Sequence, residues 1–324
     1  MRKKVLVCGA SGFLGNHIFS KLSGRPDLEV KGTFLTNRYN RIDPNDCRLV
    51  KADLTCKETV KSLISERWDV IVQMAANSSG AKDVIERPYL HITDNIIMNA
   101  LLFQAAHYHY VNRIIFPSCT VMYPNSDTPL TETDIDLNEK FYPRYFGGAW
   151  MKVYCEKLCE FYSRLGHTRY TVIRHSNIYG PNDRFDPERS HVCGANINRV
   201  MRARDKDKIV VWGKGTETRD FLFVDDLVDF IGLVIARQDY SFDIFNVGYG
   251  TSFTVKEWIE KIIRQSGKSL TVEFDSTKPT IDTRISLDTS KAREKFGWTA
   301  KTSPDIGLTK TICWFLANVL RKPY

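Results

Sequence analysis

The stretch KVLVCGASGFLG, residues 4–15, decides the fold. Val5 to Cys8 is a short apolar run without polar alternation, the pattern of a strand buried on both faces. Gly9, Gly12 and Gly15 follow it and open a helical pattern, GNHIFSKLSG. Glycines between a strand and a helix let the backbone turn sharply and bring the helix N-terminus against a pyrophosphate. Gly9, Ser11, Gly12, Phe13, Leu14 and Gly15 are therefore candidate dinucleotide contacts. Their spacing is G-x-x-G-x-x-G.

Working outward, the same rhythm repeats. EVKGTFL, CRLVKA, DVIVQMAA, RIIFPS and YTVIRH read as further strands. TVKSLISERW, NIIMNALLFQAAHY and WMKVYCEKLCEFYSRLG read as helices between them. Strand alternating with helix predicts an α/β fold with a doubly wound parallel sheet. After Asn177 the rhythm changes: GPNDRFDPERSH is a loop, KIVVWGKGTETRDFLF reads as a hairpin, and the end of the chain reads as a smaller α+β portion.

The bulk properties set limits. The 324 residues permit two ordinary domains, and 43% hydrophobic with 26% charged content is globular. No apolar run is long enough to span a membrane, and the N-terminus carries no cleavage-site pattern, so we expect neither a membrane segment nor a signal peptide. Eight cysteines without a CxxC pair read as reduced thiols of a cytoplasmic protein, with no metal site. The net charge of +8 suits an acidic partner. The basic residues form no dense block, which disfavours nucleic acid and leaves a phosphorylated small molecule.

Cofactor preference is read at the end of the second strand. An acidic residue there would hold a ribose 2′-hydroxyl. KGTFLTNRYNR has none before Asp43. Arg38 is placed for a 2′-phosphate, with Arg41 assisting, which favours NADP over NAD. Asp53, in KADLT, is a candidate for the adenine amine or, equally, a helix cap.

GASGFLG, ADL, MAAN, PSCTVMYP, KVYCEK and RHSNIYGP occur in this order, and together they resemble the extended short-chain dehydrogenase/reductases of nucleotide-sugar metabolism. NIYGPNDRFDPERSHV, VVWGKGTETRDFLFVDD, FNVGYGTSFTVKE and VEFDSTKP are most similar to the GDP-fucose synthase group, the GDP-4-keto-6-deoxymannose epimerase/reductases. The resemblance covers nearly the whole chain. It implies a Rossmann domain for the cofactor over 1–178, with a return segment near 221–248, and a nucleotide-sugar domain over 179–324. It adds Asn37, Leu54, Ala75, Ala76, Asn77 and His175 to the cofactor contacts. His191 falls where the family moves a proton during epimerisation. Asn177, Val192, Arg199, Trp212, Arg219 and Lys278 fall where it holds the nucleotide diphosphate and base. A homodimer through the helices of NIIMNALLFQAAHY and WMKVYCEKLCEFY is also implied.

The resemblance fails at one position. The family pairs a proton-transferring tyrosine with a lysine four residues on, one helical turn apart. Lys152 fills the lysine position, holding the nicotinamide ribose, but Gly148 stands at the tyrosine. Read alone, Lys152 is an exposed helix lysine facing Glu156. Cys119 occupies the usual Ser/Thr position, flanked by Ser118 and Thr120. Val121 stands where the group carries its acid/base cysteine. Without an Asp-Glu pair at Thr120 and Val121, a 4,6-dehydratase is disfavoured. Tyr145, seven residues before Lys152, is the favoured replacement, with Tyr142 and Tyr123 behind it; Gly147 and Gly148 are expected to break or delay the helix. The expected function is an NAD(P)-dependent reductase or epimerase/reductase acting at C4 of a GDP-linked keto-sugar. The alternatives are a non-redox epimerase and a cofactor-binding pseudoenzyme.

Overall fold

The computed structural model describes residues 2–37, 41–78, 81–138, 140–186, 190–278 and 281–320. β1 (Lys3–Cys8) turns through the glycines into α1 (Phe13–Ser23), and β2 (Leu28–Phe34) and β3 (Leu49–Lys51) precede α2 (Lys57–Ile64). β4 (Val70–Gln73), α3 (Ala81–Glu86), α4 (Thr93–Tyr108), β5 (Arg113–Ser118), α5 (Phe146–Arg164) and β6 (Arg169–His175) follow. Then come β7 (Asn177–Tyr179), α6 (Val192–Arg202), β8 (Lys208–Trp212), β9 (Thr218–Phe223), α7 (Val224–Arg237) and β10 (Phe242–Val247). The last elements are β11 (Ser252–Thr254), α8 (Val255–Ser266), β12 (Thr271–Asp275), β13 (Arg284–Ile285), α9 (Ser290–Phe296) and α10 (Pro304–Phe315).

Seven strands form one sheet in the order β10-β6-β5-β4-β1-β2-β3, parallel at every pairing. Successive strand side chains point to opposite faces. Val5 and Val7 therefore pack under α1 and α7 with Ile18, Phe19, Leu227 and Ile231. Leu6 and Cys8 pack on the other face with Val60, Leu102, Phe103 and Cys155 from α2, α4 and α5. Both faces are apolar, which explains strands that show no alternation in sequence. The chain runs outward from β1 through β2 to β3, then returns to β4 on the other flank of β1. A crevice opens beyond the carboxyl ends of the strands where the two directions part.

Two local expectations are corrected. KIVVWGKGTETRDFLF is not a hairpin. β8 pairs with β12 in parallel, and β9 pairs with β7, β11 and β13. Gly213 and Gly215, at φ 98° and 79°, redirect the chain between the two sheets, and Gly215 O accepts from Lys256 N–H at the head of α8. Nor do Gly147 and Gly148 interrupt α5, which runs through both from Phe146. They lie in its first turn, where N–H groups have no intrahelical acceptor to lose.

Candidate active site

The crevice starts at the glycine turn. Gly9 sits at φ 77°, and a Cβ there would come within 2.7 Å of Ala75 Cα. A Cβ on Gly15 would lie 2.1 Å from Gly9 O. α1 carries no side-chain cap and no acidic residue in its first turn, so its leading N–H groups are left for an anion. Ser11 Oγ donates to Thr36 O at 2.7 Å, tying the turn to the end of β2. These features fit a dinucleotide's pyrophosphate, which needs a cradle that side chains would fill. Gly15→Ala is expected to cost about 1–3 kcal/mol through overpacking and to weaken dinucleotide binding; thermal unfolding and a cofactor titration check it.

Beside the turn lies a cleft of about 140 Å³, lined by Gly9, Asp53, Leu54, Ala75 and Asn77 among others. Asp53 does not cap α2. Its Oδ1 accepts from Thr55 Oγ1 at 2.7 Å and Thr55 N–H at 2.9 Å, and these bonds hold its carboxyl below the usual range. Asn77 is pinned by α4, donating its N–H to Asn95 Oδ1 at 2.9 Å. Asn37 braces the loop after β2, donating to Ile42 O at 2.8 Å. Arg38 lies outside the described residues. Arg41 donates to Asn182 O at 2.8 Å and to Ser11 O at 3.5 Å, tying the glycine turn to the loop after β7.

Further along the same sheet edge, the ends of β5 and β6 bring a second group together. Lys152 is half-buried on α5; its Nζ donates to Pro117 O at 2.9 Å and sits 5.0 Å from the Phe116 ring centre. It does not pair with Glu156. Its charge acts on the Cys119 thiol, which burial pushes up and Lys152 pulls back. Tyr145, immediately before α5, has its ring 5.9 Å from that of Tyr142; burial raises its pKa, and the charge of Arg219 opposes the rise. The charges of Lys152 and His191 both act on His175. Desolvation lowers its pKa to about 4 against a 2.8 Å hydrogen bond with Ser176 O.

His191 heads α6. Desolvation first, then the charges of Arg184 and His91, lower its pKa. The ring is solvent-exposed, so water screens part of that shift. Ser118 is fully buried with its Oγ unpartnered, whereas Cys119 and Thr120 are half-buried. Tyr123 is already engaged: it donates to Asn246 Oδ1 at 2.7 Å, accepts from Arg174 at 3.1 Å, and is pushed up to about 12 by burial.

The remaining predicted residues are more dispersed. Arg219 donates to Thr218 O at 2.8 Å and Thr283 O at 2.7 Å, and also to Ile281 O. Asn177 donates to Asp220 O at 3.4 Å. Val192 begins α6 and Arg199 lies two turns on, bonded to Asn196. Trp212 ends β8 opposite Asp275, with Lys278 in the following turn, so these two share the end of the two-stranded sheet.

The model of the NAD dependent epimerase/dehydratase family matches residues 5–248. The chain belongs to that family. It is 30% identical to GDP-L-fucose synthase 1 of Arabidopsis thaliana, over 98% of this chain and 95% of the relative. It is 29% identical to GDP-L-fucose synthase of Escherichia coli, over 98% of each. Among solved structures it is similar to UDP-glucose 4-epimerase of Thermotoga maritima, with a TM-score of 0.85 and 25% identity over 98% of this chain and 99% of that one.

The chain also holds residues that sequence reasoning passed over. Arg174, on β6, forms a two-pronged ion pair with Glu156, at 3.1 and 2.7 Å, and donates to Glu132 O at 2.8 Å. Both partners are almost wholly buried. Each residue was in view, on a helix and on a strand, but nothing in the sequence pairs them.

Asp183 is the second omission. It is 7% exposed, its Oδ1 accepts from Arg184 N–H at 2.7 Å, and its Oδ2 has no partner. Burial raises its pKa to about 7, against the pull of Arg184 N–H, Arg41 and Arg184. A carboxyl raised on folding stays protonated while the unfolded chain loses its proton, so stability falls as pH rises from about 4 to about 7. Asp183→Asn is expected to stabilise the family member above pH 7 and to change little below pH 4. Melting temperatures across that range check the sign.

Proposed function

We propose that this protein is an NADP-dependent reductase or epimerase/reductase acting at C4, and at neighbouring carbons, of a GDP-linked keto-sugar. One observation carries the reading: Lys152 Nζ is held at the carboxyl end of β5 by Pro117 O at 2.9 Å, at the end of the sheet that bears the glycine turn, and its charge acts on both the Cys119 thiol and the His175 ring. Similarity to GDP-L-fucose synthases along the whole chain supports the guanine base and the keto-sugar.

The glycine turn, Asn37, Arg38, Asp53, Leu54, Ala75, Ala76, Asn77 and His175 would hold the cofactor. The absence of an acidic residue before Asp43 supports NADP over NAD. A nicotinamide held there would supply or take up the hydride. An ammonium has three donors; Pro117 O takes one from Lys152, and the others can orient the ribose hydroxyls. Tyr145 gives the C4 oxygen its proton, with the charge of Arg219 offsetting the effect of burial. Cys119, Thr120 or Ser118 steadies the same oxygen; Cys119 and Thr120 are half-buried, and Ser118 Oγ is buried without a partner. His191, whose pKa is lowered by desolvation, favours the neutral ring, whose lone pair can take a proton from the adjacent carbon.

Asn177, Val192, Arg199, Trp212, Arg219 and Lys278 would hold the nucleotide diphosphate. Residues 179–324 would mainly form the sugar-nucleotide portion, and 1–178 with 221–248 the cofactor portion. All eight cysteines are free thiols, which supports a cytoplasmic setting. The reading is tested by NADPH consumption with GDP-4-keto-6-deoxymannose beside its UDP-linked counterpart. Consumption with the GDP-sugar alone is expected; turnover of the UDP-sugar alone would overturn the assigned base.

A homodimer is part of the proposal. Phe146, Trp150, Tyr154 and Phe161 form one stripe on α5 and are 63%, 41%, 48% and 53% exposed, beside Ile97 and Tyr108 of α4 at 38% and 68%. An apolar stripe of this kind marks an association surface. The double variant Tyr154→Glu/Phe161→Glu is expected to halve the mass measured by light scattering.

A further inference from the structure

A cavity of about 320 Å³ lies at the end of the seven-stranded sheet opposite the glycine turn. Lys3, Val70, Arg113 and Arg169 begin β1, β4, β5 and β6, and all four line it. The volume is that of a small-ligand site. Nothing in the proposed reaction uses it.

Its charge is one-sided. Lys3, Arg113, Arg169 and His167 share the lining with one carboxylate, Asp69, while Asp27 and Asp239, outside the lining, interact with Lys3 and Arg169. Asp69 is already engaged, accepting from Lys4 N–H at 2.8 Å and from Asn112 Nδ2 at 3.0 Å. Among the described residues, none of Lys3, Arg113 and Arg169 makes an ion pair.

Arg113 is the informative member. It is half-buried, and one Nη donates to Ile235 O at 2.6 Å, which fixes the guanidinium but neutralises nothing. Desolvation and the charge of Arg169 both lower its pKa. Arg113 and Arg169 stand opposite each other on β5 and β6; Asp69 acts on Arg113 in the opposite sense, and an anion placed between the two guanidiniums relieves their repulsion through charge-assisted hydrogen bonds. His167 adds a flat wall, its ring edge-on to Tyr110 at 4.8 Å. Tyr110 is held there at φ 56°, a backbone region uncommon for a residue with a side chain.

We propose that this cavity binds a small molecule bearing phosphate groups, at a site separate from the crevice. The guanidinium pair matches the forked oxygens of a phosphate, and Lys3 adds a point charge at the rim. The inference is independent of the reaction assigned to the crevice.

The test is calorimetric titration of inorganic pyrophosphate into the full chain, saturated beforehand with NADPH and GDP. One binding event per chain is expected. Lys3→Gln/Arg169→Gln is expected to weaken it about a hundredfold, taking each lost charge as about tenfold. Both side chains are exposed and lie outside the crevice, so NADPH binding by the variant reports that it is folded. If the double variant loses NADPH binding, Arg169→Gln alone repeats the test with a tenfold loss expected. No saturable heat in the unsubstituted protein, or equal heat in protein and variant, would overturn the proposal.

Discussion

Tyr145→Phe will lower kcat for carbonyl reduction by about 10²–10⁴-fold, the usual worth of a positioned general acid, equivalent to roughly 3–5 kcal/mol. The family's tyrosine position is occupied by Gly148, which has no side chain to donate. Tyr123 is locked between Asn246 and Arg174. Tyr145, at the head of α5, is half-buried, and the charge of Arg219 acts on its hydroxyl. Cofactor affinity should stay unchanged in the variant, because Lys152 and the glycine turn are untouched. A second substitution sharpens the test. A Cβ at Gly148 would meet nothing within 4 Å, and in the first turn of α5 a side chain in place of this glycine disturbs no intrahelical hydrogen bond. Gly148→Tyr placed on Tyr145→Phe should therefore fold and recover at least part of the lost rate. Unchanged kcat in Tyr145→Phe would move the donor elsewhere, with Tyr142 and bound water next in order.

Arg174→Met should destabilise the protein by about 3–5 kcal/mol, the typical result of leaving a buried charge without its partner. Glu156 would keep its carboxylate in the interior with both short hydrogen bonds gone. Tyr123 and Glu132 O would lose the same donor. Arg174→Met/Glu156→Leu should regain most of that loss, since apolar replacement of a whole buried pair is often neutral. Urea unfolding of both variants separates the outcomes. Equal losses in the single and double variants would mean that packing by the long side chains, rather than the charge, carries the effect. The pair also bears on the site: it fastens α5 to β6, and Lys152 stands one helical turn before Glu156.

That arrangement shows where sequence reasoning stopped. Lys152 and Glu156, four apart on a helix, look like an ordinary surface ion pair. The structure breaks the pair because Arg174, 18 residues further on, is brought beneath the helix by β6 and takes both carboxylate oxygens. Long-range partners of this kind leave no periodic trace. The parallel sheet, by contrast, was legible, since each strand is buried on both faces and each glycine of the first turn has a steric reason. The hairpin expectation failed because two positive-φ glycines send neighbouring strands into different sheets, a choice fixed by α8 and β12 downstream. The expected break at Gly147 and Gly148 failed because glycine costs a helix little within its first turn. Asp183 escaped notice for a related reason: burial, not spacing, makes it unusual.

The central claim is that the protein still reduces a 4-keto sugar although its tyrosine position is a glycine. Product mass after incubation with GDP-4-keto-6-deoxymannose and NADPH in heavy water tests it most directly. The account predicts a reduced sugar that also carries deuterium at a carbon next to C4, placed there by exchange at His191. Deuterium uptake without reduction would contradict it, leaving an epimerase that works without the redox step.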